Sequence, residues 1–226
     1  SNNSIYTHDV SGTDSTAEGN TAYGIGALDA VTTGDYNTAI GFGALSAQQA
    51  GEGNVAIGQA ALNANLASNN LAVGKSAMIA NTTGTRNIAI GNRALDLQDT
   101  ENDNLAIGYE AMTTDNAGGQ ENTAVGNYAL DVLTSGDSNI AIGYNAMTGA
   151  TTGSNNTVVG KDAAAGATIT GSNNTAIGKD AMSALTTGGN NVSVGNSALI
   201  AITTGTENVA IGFEAMRLVT TASSNV

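Results

Sequence analysis

One five-residue motif returns at near-constant spacing along this chain and constrains the fold more than any other feature. It reads Asn, a β-branched or similar residue, a small residue, Ile or Val, then Gly. It first occurs as Asn20-Thr21-Ala22-Tyr23-Gly24 and is regular by Asn37-Thr38-Ala39-Ile40-Gly41. Further copies start at Asn54, Asn70, Asn87, Asn104, Asn122, Asn139, Asn156, Asn174, Asn191 and Asn208, which makes twelve copies at intervals of 16 to 18 residues. A short fixed period means stacked units that contact only their neighbours, not one globular core.

Each unit has a second half. Two variable residues follow the Gly, then Ala, then Leu or Met, as in Ala44-Leu45 and Ala77-Met78; Ala164 replaces the Leu or Met in one unit. A polar stretch closes the unit and often reads Thr-Thr-Gly, as at Thr82-Thr83-Gly84 and Thr186-Thr187-Gly188. About 17 residues is too short for a helix, a strand and two connections, and suits two strands of about five residues with two turns. The pentad Gly can take φ > 0 at one corner, and the Gly after the Thr pair is expected to do the same at the other. Recurrent Gly, Asn, Thr and Val argue against helix. Length changes fall in the second half, as at Asp115-Asn116-Ala117-Gly118-Gly119-Gln120, so that half reads as the tolerant, solvent-facing side. The expected fold is all-β: a parallel β-roll, or β-solenoid, of about 12 coils with a 17-residue repeat and two short strands per coil. At about 4.8 Å per coil, twelve coils make a rod roughly 55 to 60 Å long.

Alternation along the pentad puts its second and fourth residues, such as Val55 and Ile57, on one face and Asn, Ala and Gly on the other. No copy carries a charge on either face, as expected of a sheet covered on both sides. One coil covers only one side, so an identical chain is the expected cover. We expect Ile or Val together with Leu or Met to fill the roll, with the Ala row nearer the oligomer axis; the sequence alone allows the reverse. The pentad Asn residues are expected to form a structural ladder of amides, because each amide both donates and accepts. Glycines such as Gly41, Gly58, Gly91 and Gly143 are expected to stack beside them.

Composition narrows the function. The 226 residues include no Trp, Pro or Cys, and the net charge is −13. Disulfides and thiolate metal sites are thereby excluded. The charge disfavours nucleic acid and anionic membranes as partners, and no apolar run is long enough to span a bilayer. Residues 1–19 read as a degenerate N-terminal coil or cap, and 20–226 as the repeat domain. Asn3 and Asn225 lie in register with the repeat, so the chain reads as a piece excised from a longer one.

The tandem pentads, clearest from Asn37, Asn54, Asn87, Asn139, Asn174 and Asn208, resemble the head repeats of trimeric autotransporter adhesins, the YadA-like heads. The resemblance covers about residues 20 to 217. It departs in period, which is nearer 14 residues in such heads than the 17 seen here. The repeat also resembles segments of phage tail-fibre proteins. The resemblance implies a left-handed roll, a homotrimer and a non-catalytic adhesin head. Such a head would be displayed on a bacterial outer membrane and bind a host protein, extracellular matrix or a glycan. The alternative it implies is the shaft or receptor-binding segment of a virion tail fibre.

No catalytic constellation is visible: His8, the only His, stands alone, and no metal-ligand spacing or phosphate loop occurs, so no cofactor is expected. The free positions follow the pentad Gly. Tyr109, Tyr128 and Tyr144 fall there in successive coils, flanked by Asn127 and Asn145, and read as a ligand patch or as surface rings packed on one another. Beyond them Lys161-Asp162 and Lys179-Asp180 are placed to pair across the stack. Acids before the pentad Asn (Asp35, Glu52, Asp103, Glu121, Asp137 and Glu207) read as a solvated stripe, with calcium as the other reading. Regular Thr pairs raise ice or glycan binding as a minor alternative.

Overall fold

The computed structural model describes residues 17–97, 100–114, 119–166 and 168–226. The proposed cap up to Thr16, including His8, and Asp115 to Gly118 of the length change lie outside the described residues. Twelve strands of three residues each, from β1 (Thr21–Tyr23) to β12 (Val209–Ile211), form one parallel sheet in sequence order. Equivalent pentad residues pair directly, as in Val55↔Leu71, Ala56↔Ala72 and Ile57↔Val73. The result is a β-solenoid in which eleven turns of chain join the twelve strands. There is one strand per coil rather than two, and it is shorter than expected. Turns and bends make the remainder, because left-handed residues recur at three places in each coil besides the pentad Gly, as at Tyr128, Leu130 and Ser138, and leave no extended run opposite the strand.

The pentad Asn holds each coil closed and ties it to the next. Asn139 Nδ2 donates to the Gly153 carbonyl, 2.8 Å away at the far end of its own coil. Its Oδ1 accepts the backbone N–H of Asn156 at 3.0 Å, and its own N–H donates to Asn122 Oδ1 at 2.9 Å. The same pattern runs from Asn37 through Asn54, Asn70, Asn87, Asn104, Asn122, Asn156, Asn174 and Asn191 to Asn208, all of them buried.

The interior corrects one expectation. The Ala row of the pentad is fully buried inside the coil, while the fourth-position row faces outward: Ala56 is 0% exposed and Ile57 37%. The Leu and Met row does fill the inside, as Leu62 and Met78 show. The reason is volume. A coil this small takes its large side chains from the Leu or Met corner and from one position in the second half, as with Leu130 and Leu133, and leaves room for only Ala on the strand. One coil shows the exchange: Val158 stands in the Ala row where Ala164 stands in the Leu row, and both are buried. Ser193, also in the Ala row, donates across the coil to the Ala198 carbonyl at 2.8 Å.

The two glycine rows serve different ends. Pentad Gly41, Gly58, Gly91 and Gly143 have φ of 134°, 137°, 143° and 139°, and a Cβ there would lie 2.1–2.5 Å from the next coil's Gly carbonyl oxygen. The second row does not take positive φ. Gly84 and Gly153 are small because a Cβ would lie 2.3 Å from the carbonyl oxygen of Glu101 or Gly171 in the next coil. Left-handed conformations fall instead on three rows: the Leu or Met of each coil, for example Leu62 (φ 49°) and Met147 (φ 55°); the residue before each pentad Asn, such as Asp103 (φ 61°); and the second residue after the pentad Gly, such as Tyr128 (φ 61°) and Asn145 (φ 53°). The stack over-determines them: Leu62 N–H donates to the Ala77 carbonyl at 3.0 Å and Met147 N–H to that of Ala163 at 2.9 Å.

The second half is not uniformly solvent-facing. It contributes a further buried row: Gln48, Asn65 and Asn81 in the early coils, and Leu133, Ile169, Leu185 and Ile202 in the later ones. The early members join as an amide chain, with Asn65 Nδ2 to Gln48 Oε1 at 2.8 Å and Asn81 Nδ2 to Asn65 Oδ1 at 2.6 Å.

Asn139→Ala leaves the Gly153 carbonyl and the Asn156 N–H without partners and is expected to cost roughly 2–5 kcal/mol in urea unfolding. Asn139→Asp is worse at neutral pH. Burial raises the folded-state pKa of that carboxyl, so its deficit is full above that pKa and shrinks as pH falls toward the unfolded value. Ala164→Leu alone overpacks and costs about 1–3 kcal/mol, and Val158→Ala relieves it in the double variant. Additive single effects would show that the two positions do not share one volume.

Candidate functional site

Two surfaces stand out on the described chain. The first is the outward side of the sheet. The second and fourth pentad rows run its full length without a charged residue: Leu71 and Val73, Leu105 and Ile107, Ile140 and Ile142, and their equivalents. Ile40, Ile57, Ile90, Ile142 and Ile177 count among the exposed large hydrophobics. At about 4.8 Å per strand the strip is roughly 53 Å long.

The second is the corner after the pentad Gly. Tyr109 and Tyr144 directly follow Gly108 and Gly143, whereas Tyr128 sits one residue later, after Gly126-Asn127. The corner backbone is locked by the stack. Tyr128 N–H donates to the Tyr109 carbonyl and Asn145 N–H to the Asn127 carbonyl, each at 3.1 Å, and Asp162 N–H to that of Tyr144 at 2.9 Å. The structure brings the three rings together. Centroids of Tyr109 and Tyr128 are 5.6 Å apart at 80°, and those of Tyr128 and Tyr144 are 5.9 Å apart at 89°. These are edge-to-face contacts, the arrangement ring quadrupoles favour, and the offset of Tyr128 by one residue accounts for its turned ring. Tyr109 and Tyr144 remain 42% and 47% exposed.

Both flanking amides are engaged. Asn127 Oδ1 accepts the Tyr109 N–H at 2.9 Å, and Asn145 Nδ2 donates to Asp162 Oδ1 at 3.0 Å. Sequence reading did not find the first of these roles, although Asn92 does the same for Lys75 N–H at 3.0 Å. The Glu110 carboxylate accepts from the Tyr109 hydroxyl and repels a phenolate, which raises that phenol's pKa and keeps it neutral. Glu110 is held in turn by Arg93 Nη1 at 2.6 Å, and Arg93 Nε reaches Asp96 at 2.8 Å. At the other end Lys161 Nζ lies 5.9 Å from the Tyr144 ring centroid, within cation–π range.

The lysines do not pair across the stack. Lys161 meets Asp162 at 3.3 Å and Lys179 meets Asp180 at 3.1 Å, each within its own coil. Asp162 and Asp180 are left-handed (φ 53° and 56°), which breaks the alternation of an extended chain and lets each meet the Lys just before it.

The acids are not one stripe but two rows. Asp35 and Asp137 lie two residues before the Asn and accept backbone N–H groups of the preceding coil, Glu18 at 2.7 Å and Gln120 at 2.8 Å. Ser68 and Ser154 do the same elsewhere in that row, at 3.0 Å, so a short side chain with an acceptor oxygen is the signal that was there to be read. Asp103, Glu121 and Glu207 lie one residue before the Asn. Asp103 is clasped by both Arg86 Nε and Nη2 at 2.6 Å, which lowers its pKa. Ser138 and Ser224 donate to Glu121 and Glu207 at 3.0 Å. Among the described residues no three His, Cys, Asp or Glu side chains converge on a metal site. The first Thr of a pair donates its hydroxyl to the next coil, as Thr32 does to the Gln49 carbonyl at 3.1 Å, Thr186 to that of Thr203 at 3.0 Å and Thr203 to that of Thr220 at 3.1 Å. Half of each Thr array is therefore occupied by the stack itself.

No protein-family model matches this chain, and no curated protein or solved structure matches it.

Tyr128 is the ring with two aromatic neighbours. Tyr128 is left-handed (φ 61°), as Ala60 is in the same register, so Tyr128→Ala keeps the backbone demand and is expected to cost about 0.5–1.5 kcal/mol in urea unfolding, and Tyr109→Ala, with one neighbour, less. Equal costs would mean that the rings do not support one another.

Proposed function

We propose that the chain is the binding head of a surface adhesin: a left-handed β-roll that assembles as a homotrimer and presents its corners to a host protein, matrix or glycan, without catalysis. The observation that carries this reading is the charge-free strip on the outer side of the sheet, aliphatic along its fourth-position row from β2 onward and Thr or aliphatic along its second-position row. A chain of net charge −13 that keeps two rows along twelve strands free of charge has a use for that face, and long exposed apolar faces mark association surfaces. The strip repeats with the same rise in every copy, so copies of the chain match one another row for row, as symmetric assembly requires. The number three, the handedness and the cell-surface setting come from the resemblance to YadA-like heads. The tyrosine corner favours a head that makes contact over a passive fibre shaft.

Light scattering on the eluting protein is expected to give three times the 22.3 kDa subunit mass. Ile57→Lys, Ile90→Lys and Ile142→Lys together place charges where the partner would cover them, at about 3–5 kcal/mol for each buried unpaired charge. These side chains point away from the coil interior, so the variant should become monomeric with an unchanged far-ultraviolet spectrum. A wild-type monomer at micromolar concentration would overturn the reading.

A further inference from the structure

We propose that the Tyr109–Tyr128–Tyr144 column is a binding site for an uncharged, extended hexose oligosaccharide lying along the rod axis. The proposal rests on reading the chain as a displayed contact module. The column is one ring wide and three rings long, with centroid steps of 5.6 and 5.9 Å. It therefore suits a linear ligand with a similar repeat, and successive sugars of a β-linked chain advance by a comparable step. Tyr109 and Tyr144 expose ring area and a hydroxyl tip on either side of the half-buried, edge-on Tyr128, which matches the CH faces and hydroxyl groups of hexoses placed at the two ends of the column. The rings sit on a backbone already tied coil to coil, so little ordering remains to oppose binding.

Charge selects among sugars. The chain carries −13, and the cations at both ends of the column are already matched, Arg93 by Glu110 and Asp96 and Lys161 and Lys179 each by an adjacent Asp. Sulfated or sialylated chains are repelled, and a neutral one is not. A peptide is the weaker fit. Peptides extend an open sheet edge or fill a groove, and here the N–H groups of Tyr109, Tyr128 and Asn145 already bond within the stack.

With six Tyr and no Trp in the chain, tyrosine emission reports the titration, alongside calorimetry. The neutral probes are cellohexaose, chitohexaose and maltohexaose; the acidic probe is a heparin hexasaccharide. Tyr109→Asn, Tyr128→Asn and Tyr144→Asn are combined, because Asn92, Asn196 and Asn145 occupy the same registers in other coils. At least one neutral probe should bind, and its affinity should fall about tenfold or more in the triple variant, with the far-ultraviolet spectrum and scattering mass unchanged and the thermal melt lowered by only a few degrees. Tyr144→Asn alone, which leaves the Tyr109–Tyr128 pair in place, should weaken binding by a smaller factor. The proposal fails if no neutral probe binds, if only heparin binds, or if the triple variant binds equally well. It also fails if a protein ligand requires the column while no sugar does. A trimer that binds no sugar overturns this proposal alone; a sugar-binding monomer overturns the trimeric reading alone.

Discussion

Everything in this structure depends on a buried amide placed once per coil. The pentad Asn donates to a carbonyl 13 to 15 residues further on and accepts the N–H of the next pentad Asn. A coil that buries little side-chain volume cannot hold itself shut by hydrophobic contact alone. The Asn supplies directional closure from inside, and it does so where water cannot compete, which strengthens the hydrogen bond and makes its absence costly. Asp would lack the donor, and Gln would carry the amide one methylene too far.

With closure assured, packing follows from scarcity of space. Each coil has room for few large residues: the corner Leu or Met, joined in later coils by one from the second half such as Leu133, Leu185 or Ile202. Ala opposite is a consequence of that choice, and the Val158 and Ala164 pair shows that the total volume matters more than its location. The same economy drives the aliphatic pentad residues outward, where they lie side by side along the sheet. The property that makes the coil thin is thus the one that turns a charge-free face outward.

The corners carry the variation. Their backbone bonds to the coils on either side through N–H and carbonyl groups that any residue but Pro supplies, so side chains there change without loosening the stack. That freedom is filled in different ways along the rod: Phe42 near one end, the tyrosine column in the middle, the Lys-Asp pairs beyond it. A rigid corner with a free side chain is a natural place for recognition, since the scaffold and the contact surface are chemically independent.

Period, parallel stacking, the amide ladder and the two-faced pentad were legible in the residues, because each follows from spacing and from the donor and acceptor inventory of Asn. The adjacency of Tyr109, Tyr128 and Tyr144 was legible too, since a constant period maps sequence offsets onto stacked neighbours. Which face turned inward was not: Ala and Ile alternate identically whichever way the strand is rotated, and the choice depends on how much volume the opposite wall brings. Nor could local preference place left-handed turns at Leu62 or Met147, residues that avoid them in isolation. Only the hydrogen bonds from neighbouring coils hold them there. The order of residues was enough to say what stacks on what, because repetition is a one-dimensional property; what lies inside emerged only with the closed coil, because filling a volume is a three-dimensional one.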